Sequence, residues 1–491
     1  LSCFVSRPTV QDPARWGVCL STILTVSILL TASGCGSFGK HYVQADKSLL
    51  VHDYQRADAA IKEAEDEYGD KSRVLYGMDR GMTLHLAGDY KQSNLLLEQS
   101  DDEVERLYTR KVRTETAAFL TNDNALPYEG DPYEQVMLNV VKALNYAMLG
   151  LWQESLVEAR RIDHRLNVLS DRVKDKSAYR EDGFARYLTG ILYESTGDVN
   201  NAFIAYRKAY ETYDSMKGWS RVGEPRQLQS DLLRTTDGLH LTSEFTAYER
   251  AFPGVPWQSV QAQQNLAQVV VISYNGRAPR KEDQFLDLPI SMDALQLVLI
   301  NRALTNPNTP ENRAKDSVLY GLNGRVVRVA LPKLIPQPTQ VPVDIVTLNA
   351  ASGDPVLVKT EPVHQVTALA EKSLSERLPG IAVKAVARAA TKYAMAEAAT
   401  RGSQSAAGQK NADWVGLLVS LIAHGYAVAS EESDKRSWRT LPDQIHLARR
   451  WVSPGHYDVR GAGFTGEGPP GSRSLSLSPG QTVFLIQRVV Q

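Results

Sequence analysis

Three cysteines, nine histidines, two glycine-rich stretches and one charged constellation are the residues of this chain most able to do chemistry. Cys3, Cys19 and Cys35 stand at the front, so everything after Cys35 lacks a thiol for a nucleophile, a disulfide or a zinc ribbon. The histidines (His41, His52, His85, His164, His240, His364, His424, His446 and His456) are scattered, and no two show the spacing that offers a pair to one metal from a helix face. No metal site is expected. Gly34-Cys-Gly-Ser-Phe-Gly39-Lys40 begins like a P-loop, but His41 replaces the Ser or Thr that would hold magnesium. Gly461-Ala-Gly463-Phe-Thr-Gly466 spells a dinucleotide fingerprint, yet the Pro-Pro-Gly that follows cannot form the helix whose N-terminus would hold the pyrophosphate. A hairpin loop is expected there, with no nucleotide and no cofactor. Lys384, Arg388 and Lys392 fall one helical turn apart and form a basic stripe, while Asp434, Arg436 and Trp438 alternate along an extended segment just after Glu431. Those charges read as structural glue or a solvated face; the competing reading is a site for an anionic ligand.

The elements that position these residues follow from composition and pattern. Of the 491 residues, 43% are apolar and 23% charged, an ordinary globular balance that excludes a disordered or collagen-like chain. Lys and Arg total 55 against 56 Asp and Glu, which argues against a nucleic-acid binder working through bulk positive charge. Arg7 and Arg15, the apolar run from Val18 to Leu30, and Thr31-Ala32-Ser33-Gly34-Cys35 describe a secretory signal, too short for the ~20 residues of a comfortable membrane span.

The Ala-Ser-Gly-Cys ending resembles the lipobox of bacterial lipoproteins, with Ala32 where that family usually has Leu. The resemblance implies that residues 1–34 are removed, that Cys35 carries the lipid, and that 35–46 is a tether. Gly36 in place of Asp implies the outer membrane, facing the periplasm. Several acyl chains would make attachment durable.

From 47 to 252 the apolar periodicity is helical. Leu49, His52, Ala57, Ile61 and Ala64 read as the face of one opening helix. Further on, Gly190, Tyr193, Gly197, Ala202, Tyr206 and Ala209 resemble a tetratricopeptide repeat: small residues where helices touch, aromatics filling the gaps, a glycine at the turn. Weaker copies use Ala143, Tyr146, Gly150 and Ser155, with Trp152 after the turn, and Gly81, Leu84, Gly88 and Ser93. Their spacing departs from the family's ~34-residue period, with inserts near 103–130 and 171–181. The resemblance implies a curved array of helix pairs that binds other proteins.

After Pro253-Gly254-Val255-Pro256 the texture turns β-branched. Strands are expected over 267–276, 324–331, 341–348, 355–358, 446–452, 456–460 and 482–489. A helical insertion is expected at about 363–430, with separate helices over 363–378, 381–400 and 413–430. The fold class is therefore α+β: a tetratricopeptide-like helical array (47–252), then a mixed domain (253–491). The segment from Glu431 to Ile445, and that from Tyr133-Glu134 to Arg160-Arg161, resemble a poorly characterised family of bacterial outer-membrane lipoproteins with a repeat-like helical half. That resemblance implies no known reaction. We expect a membrane-attached interaction protein, without catalytic activity, that recruits or positions another envelope protein, as a scaffold or as a regulator or assembly factor for cell-wall or surface machinery. The alternative is an enzyme acting on an envelope polymer through the 384–436 cluster.

Overall fold

Five times along the helical half, a short helix ends on a residue with left-handed backbone and a second helix starts at once. These residues are His52, Gly88, Gly150, Gly197 and His240, with φ of 57°, 84°, 71°, 83° and 56°. After each, the next backbone N–H reaches back to close the helix end: Asp53 to Ser48 O, Asp89 to Leu84 O, Leu151 to Tyr146 O, Asp198 to Tyr193 O and Leu241 to Thr236 O, all at 2.9–3.0 Å. This closure satisfies carbonyls that the helix end would leave without partners. Asp53, Asp89 and Asp198 also cap the following helix by accepting a backbone N–H.

The structure, a computed structural model, describes residues 39–114, 126–172, 182–289, 326–341, 343–351, 353–406, 432–464 and 471–490. The five turns join the pairs α1 (Lys40–Leu50) and α2 (Tyr54–Glu63), α3 (Arg73–Ala87) and α4 (Tyr90–Thr114), α5 (Pro132–Met148) and α6 (Trp152–Arg172), α7 (Gly183–Ser195) and α8 (Val199–Met216), α9 (Arg226–Gly238) and α10 (Thr242–Ala251). The opening segment is thus two helices rather than one, with His52 in the turn and not on an apolar face. Its missing glycine is the reason the break is hard to see, and His240 hides the fifth turn in the same way. Histidine is among the few non-glycine residues that tolerate this conformation.

Small residues bring the paired helices together. A side chain on Gly190 would strike the Tyr206 ring, one on Gly183 the Tyr213 ring, and one on Gly81 the Leu97 side chain. Ser93 donates to Gly81 O (2.6 Å) and Ser155 to Ala143 O (2.9 Å), the same cross-helix bond in consecutive pairs. Ala202 and Ala209 occupy the equivalent inner face of α8, fully buried.

The second half is a two-sheet sandwich. The first sheet has strand order β10-β1-β7-β6, built from β1 (Ala267–Asn275), β6 (Glu361–Gln365), β7 (Gln444–Val452) and β10 (Thr482–Val489). β1 lies parallel to β10 (Val270 opposite Phe484) and antiparallel to β7 (Ile272 opposite Leu447). The second sheet is antiparallel, in the order β5-β4-β8-β9, with β4 (Ile345–Ala350), β5 (Val356–Lys359), β8 (Gly455–Arg460) and β9 (Ser472–Leu477). A separate ribbon pairs β2 (Arg280–Pro289) with β3 (Val326–Ile335). β2, β6 and β9 were not expected from the sequence: each carries polar residues, and β2 has alternating charges that mask its pattern. Val363 belongs to β6, and the two helices expected over 363–400 are one helix, α11 (Val366–Ala406), running through Pro379. The expected helix over 413–430 lies outside the described residues. No described helix is long and apolar enough to cross a membrane.

β1 is buried at every residue, because both its faces are covered. Val269 and Val271 face the second sheet, in a core with Val346, Leu348, Val459 and Leu485. Val270, Ile272 and Tyr274 face the helices, in a core that continues without interruption through Phe484, Leu447, Trp438, Met82, Val140, Leu188 and Leu232. The order of layers is helix pairs, first sheet, second sheet. Gly461 and Gly463 sit in the hairpin between β8 and β9, with Arg460 opposite Ser472. A side chain on Gly463 would collide with the backbone of Arg488, so this glycine serves close packing of chain against chain.

Candidate functional site

The first sheet packs directly on the helix pairs. The residues that seal this seam come mostly from the first helix of each pair. Asp79 on α3 is completely buried and accepts from the hydroxyls of Tyr42 (2.6 Å), Tyr68 (2.9 Å) and Thr440 (2.9 Å). Burial raises its pKa against the pull of those donors. His85 on α3 bonds Asn145 Oδ1 at 2.6 Å and the Tyr274 hydroxyl of β1 at 3.1 Å. Burial holds its pKa down at about 4, so the ring is neutral at pH 7. Nδ1–H then donates to Asn145, and Nε2 accepts from Tyr274. Both ring nitrogens are thereby used in packing.

Further along, Glu134 accepts four hydrogen bonds: Tyr128 hydroxyl (2.5 Å), Tyr133 hydroxyl (3.2 Å), and the backbone N–H groups of Asp131 (2.7 Å) and Trp438 (2.7 Å). The bond to Asp131 is half of a capping box that starts α5; the bond to Trp438 ties that helix to the other half of the chain. Burial, then the nearby Asp131 carboxylate, pushes Glu134 up to about 7. Asp131 itself pairs with Lys281 of β2 (3.0 Å) and Arg377 of α11 (2.7 Å).

The densest tie is at α7, α8 and α9. Arg449 of β7 has no exposed side-chain surface and donates to Asp231 (2.5 Å), Tyr206 (2.9 Å) and Glu194 (2.7 Å). Arg234 pairs with the same two carboxylates, at 2.7 and 2.9 Å. Trp451 faces both guanidinium groups, 4.6 Å from Arg234 and 5.0 Å from Arg449. Two cations and two anions balance. Burial works upward on Glu194, but Arg234 and Arg449 hold it at about 2.

The residues singled out from the sequence fall into three groups. Gly88, Gly150 and Gly197 form the turns, while Gly81, Ala143, Gly190, Ala202 and Ala209 lie at helix contacts. Tyr206 is in the Arg449 network, and Trp152 packs on Phe484 of β10 at 6.3 Å, so it faces the sheet as well as its own turn. Tyr146 and Tyr193 accept the closing N–H of their turns through their backbone, and their rings are only partly buried. The charged cluster divides: Lys384 is exposed and Arg388 buried on α11, and nothing is described of the Lys392 side chain, of Glu431 or of Cys35. Asp434 pairs with Arg436 at 2.8 Å, and Glu432 pairs with Lys435. Arg436 donates to Lys71 O (3.2 Å) and Leu126 O (3.1 Å), and Trp438 is buried. The segment from Glu432 to Asp443 is therefore a strap tied to the helix pairs. Asp79, Glu194, Asp231, Arg234 and Arg449 were missed, because each looks like one more charge on an amphipathic helix or an edge strand.

No protein-family model matches this chain, and the comparison with curated proteins found no match. Solved structures that it resembles include one of MamA, at 16% identity and TM-score 0.27, covering 42% of this chain and 90% of that one. Another is a Podospora anserina kinesin light chain with nearly identical TPR-like repeats, at 13% identity and TM-score 0.28, covering 44% and 95%. A third is the Rap conjugation gene regulator of plasmid pLS20 in complex with the Phr* peptide, at 10% and 0.26, covering 78% and 72%. At such scores the assignment rests on the chain's own geometry. Five helix pairs with one repeated turn make the helical half tetratricopeptide-like, and the whole is an α+β protein.

The helix contacts yield a direct test. Tyr206 is held by Glu194 (2.6 Å) and Arg449 (2.9 Å), so it cannot swing away from a side chain placed at Gly190. Gly190→Leu and Ala202→Leu are each expected to destabilise the protein by about 1–3 kcal/mol. Thermal unfolding of the full chain would show it, and unchanged midpoints for both would contradict the packing described.

Proposed function

We propose that this protein is a scaffold that is attached through lipid on Cys35 to the outer membrane, faces the periplasm, and positions another envelope protein. What supports the scaffold part of this reading is the arrangement of layers. The first-helix face of the array is filled by the chain's own sheet, and the polar groups along it are spent on each other. The surface left for a partner is that of the second helices, chiefly α6 and α8, and the outer face of the second sheet. On that sheet Ile345 and Leu357 stay more than half exposed. An anchor confines the chain to one surface, which raises its effective concentration near a partner in the same envelope. A regulatory or assembly role in cell-wall or surface machinery would be a specific form of this activity.

Photocrosslinking from positions on α6 and α8 in the native envelope, followed by mass spectrometry, should capture one recurrent protein. Crosslinks only from the seam residues, or none, would count against the reading. Cys35→Ala should abolish fatty-acid labelling and release the protein from the membrane fraction; unchanged labelling and fractionation would overturn the anchor.

A further inference from the structure

Tyr42, Ala45 and Leu49 of α1 are buried in the core, which accounts for one apolar side of that helix. A second apolar stripe faces outward. Val43, Leu50 and Val51, the last just past the helix end, are 54%, 39% and 71% exposed. Lys40 and Lys47 are exposed on the same stripe, because positions 40, 43, 47 and 50–51 recur at one-turn spacing. The only carboxylate within α1, Asp46, faces Arg277 of the β1–β2 turn (3.7 Å). Two carboxylates flank the helix and both are engaged, Glu67 with His41 (3.0 Å) and Asp53 with the Arg56 N–H (3.0 Å). Arg439 lies over the Tyr42 ring at 4.2 Å and adds positive charge beside α1. Outward apolar side chains interleaved with lysines suit a helix lying in a lipid headgroup layer. The lysine stems cover the hydrocarbon boundary while their ammonium groups reach phosphate. The chain also limits where this face can be. Lys40 is five residues from Cys35, and five residues span at most about 18 Å in any conformation. A lipid on Cys35 would therefore keep α1 beside the membrane surface.

We propose that the outward face of α1 lies on the membrane that holds the Cys35 lipid, with Val43, Leu50 and Val51 at the headgroup boundary and Lys40 and Lys47 on its phosphates. This contact rests on the lipid anchor proposed above and adds an orientation to it. An anchor alone lets the protein swivel, whereas a helix face held on the surface presents the same side of the array to the periplasm. Benzoylphenylalanine would be placed at Val43, at Val51 and, as a control, at Leu357 on β5, which is equally exposed. Cells would be grown with radioactive phosphate and irradiated, and the protein purified under denaturing conditions. Positions 43 and 51 should capture about tenfold more labelled phospholipid than position 357. Lys40→Glu combined with Lys47→Glu should lower that capture about threefold, since each lysine near the surface adds attraction to anionic lipid. Both lysines are exposed, so the thermal midpoint should not change. Fatty-acid labelling of Cys35 would be read in the same samples. Lipidated protein that captures no phospholipid at 43 and 51, or captures a protein there instead, would overturn the contact and leave the anchor standing. Equal capture at all three positions, or undiminished capture by the charge variant, would overturn it too. Protein without fatty acid on Cys35 would overturn the anchor, and this contact with it.

Discussion

Arg449→Leu is expected to remove about 3–5 kcal/mol of unfolding free energy, the range for breaking a buried ion pair from one side. The substitution leaves Glu194 and Asp231 buried with Arg234 as their remaining cation, and takes a donor from Tyr206. It also strips one of two guanidinium groups from Trp451. A domain's net stability is of order 5–15 kcal/mol, so a loss of that size is visible at once in urea unfolding. A double-mutant cycle with Asp231→Leu should return a coupling energy of about 0.5–3 kcal/mol, because the two side chains touch. Since one core joins helices and sheet, helical circular dichroism and tryptophan fluorescence should fall in the same transition. A cost under about 1 kcal/mol, or two separated transitions, would show that this network does not bind the halves together.

Glu134 should make the protein less stable as the pH rises from about 4.5 to 7. Its folded pKa, pushed up to about 7 by burial and Asp131, lies above its unfolded value. Over that window the folded state binds more protons than the unfolded chain, so unfolding free energy declines with pH. The displacement corresponds to roughly 3 kcal/mol, fully present below the unfolded pKa and lost once pH passes 7. Glu194 acts in the opposite sense at lower pH: held at about 2, it adds stability that disappears as pH falls from about 4.5 towards 2. The charges facing Glu134 are Asp131 on its own helix end, Lys281 from β2 and Arg377 from α11, with Tyr128 and Tyr133 as hydroxyl donors. Glu134→Gln carries no titrating proton, so the difference between wild type and variant isolates this group. Urea unfolding at pH 5 and pH 8 should show wild type losing more stability than the variant between the two. Parallel pH profiles would contradict the raised pKa. Glu134→Ala should be destabilised at both pH values, because the N–H groups of Asp131 and Trp438 lose their buried acceptor.

What could be known from the residues alone was local. Gly88, Gly150 and Gly197 announce three of the five turns, because only glycine takes the left-handed conformation without strain. Gly81 and Gly190 mark helix contacts, and the β-branched run of β1 marks a strand. These signals lie within a few residues of the structure that they dictate. The turns at His52 and His240 escaped, as did the charged strand β2, because their residue types point elsewhere until neighbours constrain them. Only the tertiary structure decided that the sheet closes the first-helix face. That outcome depends on pairs such as Arg449 with Asp231, Trp438 with Glu134, and Tyr274 with His85, which lie between 189 and 304 residues apart in the chain. An isolated Asp or Arg in a helical pattern reads as solvent-exposed, since burial of a charge is tolerable only beside its partner. The partner is specified by distance in space, which one-dimensional periodicity does not contain.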